Sequence, residues 1–522
     1  MSGQTGTTGA IDQTEVIGFL SDPASHAGSD GVERVETHGN FVFLAGSDAW
    51  KIKRAVRFAY MDFSTLEKRR AACEHEVAVN SRFSPDLYLG CVPITRSTDG
   101  TLAFAGDGET VEWAVHMRRF DQSALLSSIA MTGPVSDELA KSLACVVYGS
   151  HAGAKRSLTS SGSATVRTLV STVCASLGAR DAFDSGDVAR LTNALNAEVD
   201  RIANLLDGRA AAGFVRHCHG DLHLANVVVW QGRPMLYDAI EFDDAMATID
   251  TLYDIAFLLM DLDRHGHRRA ANIVLNRYLW RSGDIRDLEG LAALPLFLSL
   301  RAAIRAMVTV DRADQEDAAA AQRDLDHAGA YLSAALAYIK RSAARLIAIG
   351  GHSGTGKTTL AAALAPTIGG APGAVYFRSD LERKSEAGVG ELERLPARSY
   401  TQESSARVYA VLEEKAQIVL AAGRSVVLDA VFASEEERRG IETVATTLGV
   451  TFQGIWLTAD RETLIARVSA RRNDASDATP DVVDAQLQYE MGTMSPAWRV
   501  VDAGGTADET LHHVASQIGL KP

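Results

Sequence analysis

The feature that most constrains this chain is an apolar run that leads directly into a glycine-rich loop. Residues 346–349 read Leu-Ile-Ala-Ile, and residues 351–358 read Gly-His-Ser-Gly-Thr-Gly-Lys-Thr. This is the spacing of a Walker A loop, in which a buried strand ends, backbone amides wrap phosphates and a helix begins. The pattern therefore predicts a strand–loop–helix unit, with helix from Thr359 onward.

Side chains of this loop have separate expected roles. Lys357 is predicted to reach the β and γ phosphates of a nucleotide, and the Thr358 hydroxyl to hold magnesium. The glycines allow the backbone to approach the phosphates closely. The predicted nucleotide-binding residues of the loop are Gly351, Ser353, Gly354, Thr355, Gly356, Lys357, Thr358 and Thr359.

Further apolar runs follow the loop at residues 375–377, 425–428 and 452–457, with helical stretches between them. Alternation of buried strands and helices is typical of a parallel sheet covered by helices. We expect a P-loop domain over residues 342–522, with its boundary near Ser342.

Size, charge and cysteine content limit the class of protein. A chain of 522 residues is expected to hold two to four domains, and its net charge of -14 disfavours non-specific binding to nucleic acid or to an anionic membrane. The five cysteines form no CxxC pair, which favours a reduced cytoplasmic protein over a disulfide scaffold or a zinc site. No signal peptide is recognised, and the longest nearly apolar run, residues 291–300, is too short to span a bilayer.

A second motif lies in the first half of the chain. Residues 219–226 read His-Gly-Asp-Leu-His-Leu-Ala-Asn, with the spacing of a kinase catalytic loop. Asp221 is the candidate base, and Asn226 is a candidate magnesium ligand. A predicted strand–turn–strand at residues 227–237 leads to Asp238, the candidate second metal ligand.

Upstream of this motif, residues 41–53 are predicted to form a hairpin, followed by a helix over 64–82 and a strand over 111–120. Most of residues 135–212 and 249–345 are predicted to be helical.

A phosphate-binding lysine is expected on the second strand of the hairpin. Lys51 and Lys53 compete for this role and share one strand face, so periodicity does not separate them. We favour Lys51. A carboxylate of the next helix should orient the lysine, with Glu76 as first candidate and Glu74 as second.

Residues 33–300 resemble the aminoglycoside phosphotransferase-like branch of the protein-kinase fold, whose catalytic motif is His-Gly-Asp-Leu-His-x-x-Asn. The resemblance implies a bilobal kinase-like domain, which we place at 33–341 after a partly disordered segment 1–32. It also implies ATP and Mg²⁺ as cofactors and a structural role for Asp254. Two departures are notable: residues 238–242 read Asp-Ala-Ile-Glu-Phe, so that Glu241 could share metal binding, and the loop at residues 36–40 is poor in glycine.

In the second half, charged residues follow the predicted strands. Asp380 is predicted to activate an acceptor hydroxyl, and Arg383 to hold the substrate or the transferring phosphate. Asp429 ends a Walker-B-like strand, where it would assist magnesium through water or contact substrate. The blander alternatives are that Asp380 caps a helix and that Arg383 is a surface residue.

Two arginines four residues apart, Arg467 and Arg471, share a helix face and suit a lid that closes on phosphates. We favour Arg471, which lies nearer to the polar loop 473–478, although a solvated arginine cluster is the alternative. Arg438 is predicted to lie on a charged helix surface.

Residues 345–520 resemble the small P-loop kinases, including gluconate kinase, adenylylsulfate kinase, zeta-toxin and polynucleotide 5′-kinase relatives. The whole chain resembles a bacterial family described as bifunctional aminoglycoside phosphotransferase/ATP-binding proteins. The combined fold class is α/β and α+β in two domains. The resemblance implies an ATP-dependent phosphotransferase that acts on hydroxyls of sugar-like or amino-sugar-like molecules. Three alternatives stay open: a silent, regulatory nucleotide-binding half, a nucleic-acid 5′-end kinase, and a toxin-like sugar-nucleotide kinase.

Overall fold

The computed structural model describes residues 12–37, 39–57, 62–157, 161–313, 317–472 and 474–520. The chain splits into two compact units. The first unit comprises residues 1–135, 146–158 and 213–254, and the second comprises residues 136–145, 159–212 and 255–522. Helices that precede Ser342 in sequence thus belong to the same unit as the Walker loop. The division of function at Ser342 stays a prediction, and residues 1–11 lie outside the described residues.

The first unit is built on a six-stranded antiparallel sheet. Its strand order is β1-β2-β3-β6-β4-β5. The predicted hairpin is confirmed as β2 and β3, whose turn places Gly46 at a φ of 55°. The strands are β1 (Val32–Glu36), β2 (Asn40–Ala45), β3 (Asp48–Lys53), β4 (Tyr88–Arg96), β5 (Leu102–Phe104) and β6 (Glu109–Arg118).

Both faces of this sheet are covered. Val16 and Leu20 of helix α1 (Thr14–Ser21) pack with Phe43 on one face. On the other face, Cys73 of helix α2 (Leu66–Asn80) packs with Val115. The sheet therefore fixes the position of α2, and with it Glu76, against the lysines of β3.

The motif at residues 219–226 lies in a loop between short strands. The strand–turn–strand predicted at 227–237 is confirmed as the β8–β9 hairpin, while β7 pairs with β10. The other helices and strands of the first unit are α3 (Leu126–Thr132), the later part of α4 (Asp137–Gly153), β7 (Val215–His217), β8 (Val227–Trp230), β9 (Arg233–Leu236), α7 (Asp244–Ala247) and β10 (Thr248–Asp250).

The second unit contains the predicted parallel sheet. Its strand order is β12-β13-β11-β14-β15, and every pairing is parallel. The strands are β11 (Arg345–Gly351), β12 (Val375–Arg378), β13 (Val426–Asp429), β14 (Thr451–Thr458) and β15 (Trp498–Asp502). The central strand β11 contributes Ile347 and Ile349 to a core that also contains Val427 and Ile455. Together with the first unit, this sheet confirms the predicted fold class.

Helices surround the parallel sheet and form the rest of the second unit. Those that precede the sheet are α5 (Gly162–Gly178), α6 (Ser185–Ala211), α8 (Thr251–Arg264), α9 (Arg268–Ser282), α10 (Ile285–Gly290), α11 (Leu294–Ala313) and α12 (Ala318–Ile339). Those that follow β11 are α13 (Lys357–Leu364), α14 (Ser379–Glu386), α15 (Gln402–Ala421), α16 (Glu435–Leu448), α17 (Arg461–Ala470), α18 (Pro480–Gln486) and α19 (Ala507–Gln517).

One helical stretch of the described residues, Ile285–Ala313, is long and apolar enough to cross a membrane by length and composition. In its most apolar window, 67% of the residues are buried inside the protein. Burial of this kind is what the core helix of a globular protein shows.

Candidate active sites

A buried carboxylate holds the kinase-like loop in place. Asp254 accepts hydrogen bonds from the backbone amides of His219 and Gly220 at 3.2 and 2.9 Å, and its Oδ2 lies 3.0 Å from His151 Nε2. Gly220 has a φ of 83°, and a Cβ there would lie 2.9 Å from Ile240 Cδ1. The loop conformation therefore requires glycine at this position. The structural role expected for Asp254 agrees with this geometry.

Asp221 and Asn226 lie in direct contact. Asn226 Nδ2 donates to the backbone oxygen of Asp221 at 2.9 Å and to its carboxylate at 3.0 Å. The same carboxylate lies 3.2 Å from His223 Nε2, while His223 Nδ1 accepts from the Ala225 amide. The Asp221 side chain is 41% exposed, so a hydroxyl acceptor can reach it. The structure thus brings the predicted base and the predicted amide ligand together.

Glu76 binds both candidate lysines. Its two carboxylate oxygens lie 2.8 Å from Lys51 Nζ and 2.6 Å from Lys53 Nζ. Burial alone would raise the pKa of Glu76, but the two ammonium groups lower it to about 2. Glu74, the second candidate for orienting the lysine, instead pairs with Arg70 on the surface.

The two lysines differ in their second partner. Lys51 lies 3.0 Å from Asp238, whose side chain is 46% exposed, whereas Lys53 lies 2.8 Å from Glu241 in the interior. Burial opposes the charge of Lys51, yet Asp238 and Glu76 raise its pKa well above the ordinary value. Glu241 was named only as a residue that could share metal binding, and here it compensates the charge of the buried Lys53.

Asp238 follows β9 with a φ of 57°, in the left-handed region that most residues avoid. The backbone amide of Asp238 donates to the Tyr88 hydroxyl. The carboxylate of Asp238 and the side-chain oxygen of Asn226 are hard oxygen ligands of the kind that Mg²⁺ prefers. This donor set fits the expected ion.

The Walker loop has the backbone that its glycines predict. Gly354 and Gly356 have φ values of 90° and 91°, and a Cβ at Gly354 would lie 2.6 Å from the Leu464 carbonyl oxygen. The loop continues directly into α13, so its amides and the helix N-terminus face the same side. Lys357 Nζ donates to the carbonyl of His352 at 2.9 Å, and burial lowers the pKa of Lys357.

The Thr358 hydroxyl donates a hydrogen bond of 2.6 Å to the Asp429 carboxylate. Tyr376 also donates to Asp429, at 3.0 Å. In magnesium-dependent P-loop enzymes the hydroxyl and a carboxylate of the neighbouring strand serve the ion. The pair at Thr358 and Asp429 has the donor chemistry that the expected Mg²⁺ requires.

Most predicted residues of the second half line one cavity of about 1060 Å³. Gly351 and Thr355 are absent from its lining, because Thr355 is buried and bonded to the His352 carbonyl and Gly351 belongs to β11. The predicted residues that line it are Ser353, Gly354, Gly356, Lys357, Thr358, Thr359, Asp380, Arg383, Asp429, Arg467 and Arg471. The cavity has room for a nucleotide and a small acceptor.

Asp380 lies in the first turn of α14 and lines this cavity. Burial raises the pKa of Asp380, although the nearby Arg378 opposes the shift. The N-cap residue of α14 is Arg378, and among the residues that the structure describes no side chain caps the start of this helix. The alternative prediction, that Asp380 caps a helix, is therefore wrong.

Arg383 is buried rather than on the surface, being 9% exposed. Its guanidinium donates to the carbonyl of Ser399 at 2.7 Å and lies 5.0 Å from the centre of the Tyr400 ring. The surface alternative for this arginine is wrong, since the guanidinium holds the loop before α15 while also lining the cavity.

Of the two lid candidates, Arg467 donates to the carbonyls of Ala503 and Gly505 at 2.8 and 2.7 Å. The guanidinium of Arg467 therefore holds the loop at residues 503–505 in place. Arg471 follows α17 and lines the cavity, which agrees with the preference for it. Asn473, in the predicted lid loop, lies outside the described residues.

Sequence reasoning placed Arg438 on a charged surface, and this is wrong. The residue is 2% exposed and donates to the carbonyls of Phe432 and Ala433 at 2.9 and 2.7 Å. Its guanidinium satisfies carbonyls of the segment just before α16. The charged sequence around Arg438 gives no sign of these buried hydrogen bonds.

Sequence reasoning also missed Gln486, which accepts a 2.7 Å hydrogen bond from the Ser353 amide and so ties α18 to the Walker loop. No local motif marks this glutamine. Other lining residues that were not predicted include Tyr400, Tyr409, Glu437 and Tyr489.

Comparisons with known proteins give a match to part of the second half of the chain and a match to most of its length. Residues 346–492 match the family model AAA_33, described as an AAA domain. A protein of Mycobacterium tuberculosis (strain ATCC 25618 / H37Rv), itself named only as uncharacterized, is 29% identical over 482 residues. The match covers 90% of this chain and 92% of that relative.

Among solved structures, a sugar kinase from Janibacter sp. HTCC2649 is similar at 18% identity and a TM-score of 0.28, over 34% of this chain and 96% of that one. The GDP complex of aminoglycoside 2'-phosphotransferase-IIIa is similar at 14% identity and a TM-score of 0.36, over 62% and 99%. Both kinds of kinase that the sequence resembles are thus among the solved structures to which this chain is similar. The fold assignment itself rests on the strand order and loops described above.

Proposed function

We propose that this chain is an ATP-dependent, cytoplasmic phosphotransferase with two kinase-type sites, each of which transfers a γ-phosphoryl group to a hydroxyl of a small sugar-like or amino-sugar-like molecule. The observation that carries the proposal is the gathering of Lys357, Thr358, Asp380 and Asp429 around one cavity. A phosphate cradle, an oxygen pair for a metal and a candidate base are the parts that phosphoryl transfer needs.

At the Walker site, Asp380 would accept the proton of the acceptor hydroxyl as its oxygen attacks the γ-phosphorus and the bond to ADP breaks. Lys357 and Arg471 would neutralise the charge of the transferring group. Thr358 and Asp429 would hold Mg²⁺, which supplies further neutralisation of phosphate charge when bound. The raised pKa of Asp380 makes its carboxylate a better proton acceptor than an ordinary aspartate.

At the kinase-like site, Asp221 would orient or deprotonate the acceptor hydroxyl. Lys51, held by Glu76, would contact the nucleotide phosphates, and Asn226 and Asp238 would hold Mg²⁺. Support comes from the 3.0 Å contact between Asn226 and Asp221, which sets the base beside its metal ligand.

One observation favours a second candidate, in which the first unit binds nucleotide but only regulates. Lys51 already pairs with Asp238, so both groups are neutralised before any ligand arrives. Such a site would bind nucleotide without turnover if the pair did not separate.

The decisive experiment is a phosphorylation screen of a metabolite library with ATP, run in parallel on wild type, Asp221→Asn and Lys357→Ala. We expect each variant to lose a different set of products. Asp30→Asn and Lys155→Ala are matched controls, since both residues are exposed and neither lines the cavity at the Walker loop. If Asp221→Asn kept every product while Lys357→Ala lost them all, catalysis by the first site would be wrong. Absence of any product with all proteins would overturn the proposal as a whole.

A further inference from the structure

A second, smaller cavity of about 260 Å³ lies in the second unit, behind β12. Its walls come from α9 and the start of α4 on one side, and from α13, β12 and α14 on the other. Thr358 and Asp474 line both this cavity and the larger one, so the two are neighbours within one unit. Its apolar lining includes Ile273, Leu279, Trp280, Leu288 and Phe377.

The carboxylates that line this cavity are already compensated. Each of them has a basic side chain within ion-pair distance: Glu391 with Arg277 at 2.7 Å, Glu382 with Lys415 at 2.5 Å, Asp474 with Arg378 at 2.9 Å, Asp137 with Arg269 at 2.6 Å and Asp284 with Arg286 at 2.6 Å. Lys141 also lines the cavity and is exposed, and it makes no ion pair with the residues that the structure describes. The charge that remains available to a ligand is therefore positive.

Two donors on the wall also lack acceptors. Within the described part of the chain, Arg277 Nε and Trp280 Nε1 are buried without a hydrogen-bond partner. The Arg277 guanidinium lies over the Trp280 ring at 4.4 Å, so the two side chains form one stacked wall. Buried N–H groups without partners are unfavourable, and a small opening of this stack would let a ligand acceptor satisfy them.

We propose that this cavity binds a small organic anion that carries a ring, such as an aromatic carboxylate. The ring would pack against Trp280 and Ile273, and the carboxylate would face Lys141 and the unsatisfied donors. A strongly hydrated ion such as inorganic phosphate fits poorly, because the apolar wall offers nothing in exchange for its hydration. The cavity is near the lower end of the size range of small-molecule sites, which suits a ligand of one or two rings.

The test is a binding titration of the full chain, without nucleotide, by ligand-observed NMR with benzoate, benzyl alcohol and benzylamine. These probes share one ring and differ in charge. We expect saturable binding of benzoate, at least fivefold weaker binding of benzyl alcohol and no saturable binding of benzylamine. Equal binding of the three probes, or no saturable binding of benzoate, would overturn the proposal.

Variants locate the site. Lys141→Gln should weaken benzoate binding about fivefold, while Lys155→Gln, a change at an exposed lysine outside the cavity, should leave it unchanged. Ile273→Trp should fill the cavity and abolish binding, with Ala362→Leu as a second filling variant if the first does not fold. Binding that survives a folded filling variant contradicts the assignment. Lys357→Ala should bind benzoate like wild type, so this inference and the proposed kinase activity can fail separately.

Discussion

Lys53 Nζ lies 2.6 Å from Glu76 Oε2, and both side chains are almost completely inaccessible to solvent. The carboxylate expected to orient one phosphate-binding lysine thus holds two. Lys51 occupies the other oxygen of Glu76 and remains 11% exposed, against 1% for Lys53. A buried ammonium that already has Glu76 and Glu241 as partners is poorly placed to leave them for a phosphate. The greater exposure of Lys51 favours it as the phosphate-binding lysine, and the burial of Lys53 between two carboxylates favours a structural role.

Replacing each lysine by methionine should separate the two roles. We expect Lys51→Met to lower phosphoryl transfer at the first site by about 100-fold, the size of effect seen when one charge-stabilising donor is removed. Lys53→Met should instead lower the free energy of unfolding by about 3–5 kcal/mol, because it removes the ion-pair partner of Glu241 and one of the two partners of the buried Glu76. Product formation and urea unfolding measure the two effects.

Lys155→Met serves as the control for both measurements, because this lysine is exposed and belongs to none of the strands of the sheet. If Lys53→Met unfolded like wild type and lost transfer while Lys51→Met stayed active, the assignment of the two lysines would be reversed.

Glu76 should also make stability depend on pH. Its folded pKa of about 2 lies below the ordinary 4.5, so the ionised form is the one that folding favours. The stabilisation is fully present above pH 4.5 and is lost as the pH falls from 4.5 towards 2. At about 1.4 kcal/mol per pKa unit, the loss is roughly 3 kcal/mol.

Urea unfolding between pH 2 and pH 7 checks this dependence. Glu76→Gln should be less stable at neutral pH and should lack this part of the acid transition. Glu74→Gln, a change at a half-exposed carboxylate of the same helix, should retain it. An acid transition in Glu76→Gln as large as that of wild type would contradict the prediction.

Local patterns were sufficient where a short segment determines its own structure. The run at residues 346–349 is buried on both faces, and the glycines of the Walker loop adopt the positive φ values that the motif requires. The parity of Lys51 and Lys53 was also correct, since both reach Glu76.

Tertiary partners were out of reach. Strand β15 was not predicted, because as an edge strand it exposes Arg499, Val500 and Asp502 and shows no continuous apolar run. Arg438 donates to the Thr493 carbonyl, 55 residues away in sequence, and Gln486 accepts from the Ser353 amide, 133 residues away, so no local signal specifies these contacts. For the same reason Glu241 could not be assigned to Lys53, which lies 188 residues earlier.

The Thr358 hydroxyl should be required for magnesium-dependent turnover at the Walker site. Thr358→Ala removes both the bond to Asp429 and the expected metal ligand, and we expect a loss of at least about 100-fold in transfer. Thr358→Ser retains the hydroxyl and should stay within about fivefold of wild type. Addition of EDTA should abolish the activity that remains in either protein.

The matched control is Thr446→Ala, which changes an exposed threonine on α16. ATP-dependent product formation with Asp221→Asn as the background measures the Walker site alone. Wild-type turnover by Thr358→Ala in magnesium would rule out the predicted ligand role.

Asp380 should set the acid limb of the pH–rate profile at the Walker site. Burial raises the pKa of this carboxyl above the ordinary 3.8, and only the ionised form accepts a proton. The rate should therefore fall as the pH falls through the raised pKa, so that the limb lies above 3.8. Asp380→Asn should lose about 10²- to 10⁴-fold in kcat/KM and should lack this limb.

The profile is measured on the Asp221→Asn background, with Asp30→Asn added as the control. A limb of unchanged position in Asp380→Asn would mean that another group supplies the base, and Glu437, whose pKa burial also raises and which lines the same cavity, would be the next carboxylate to test.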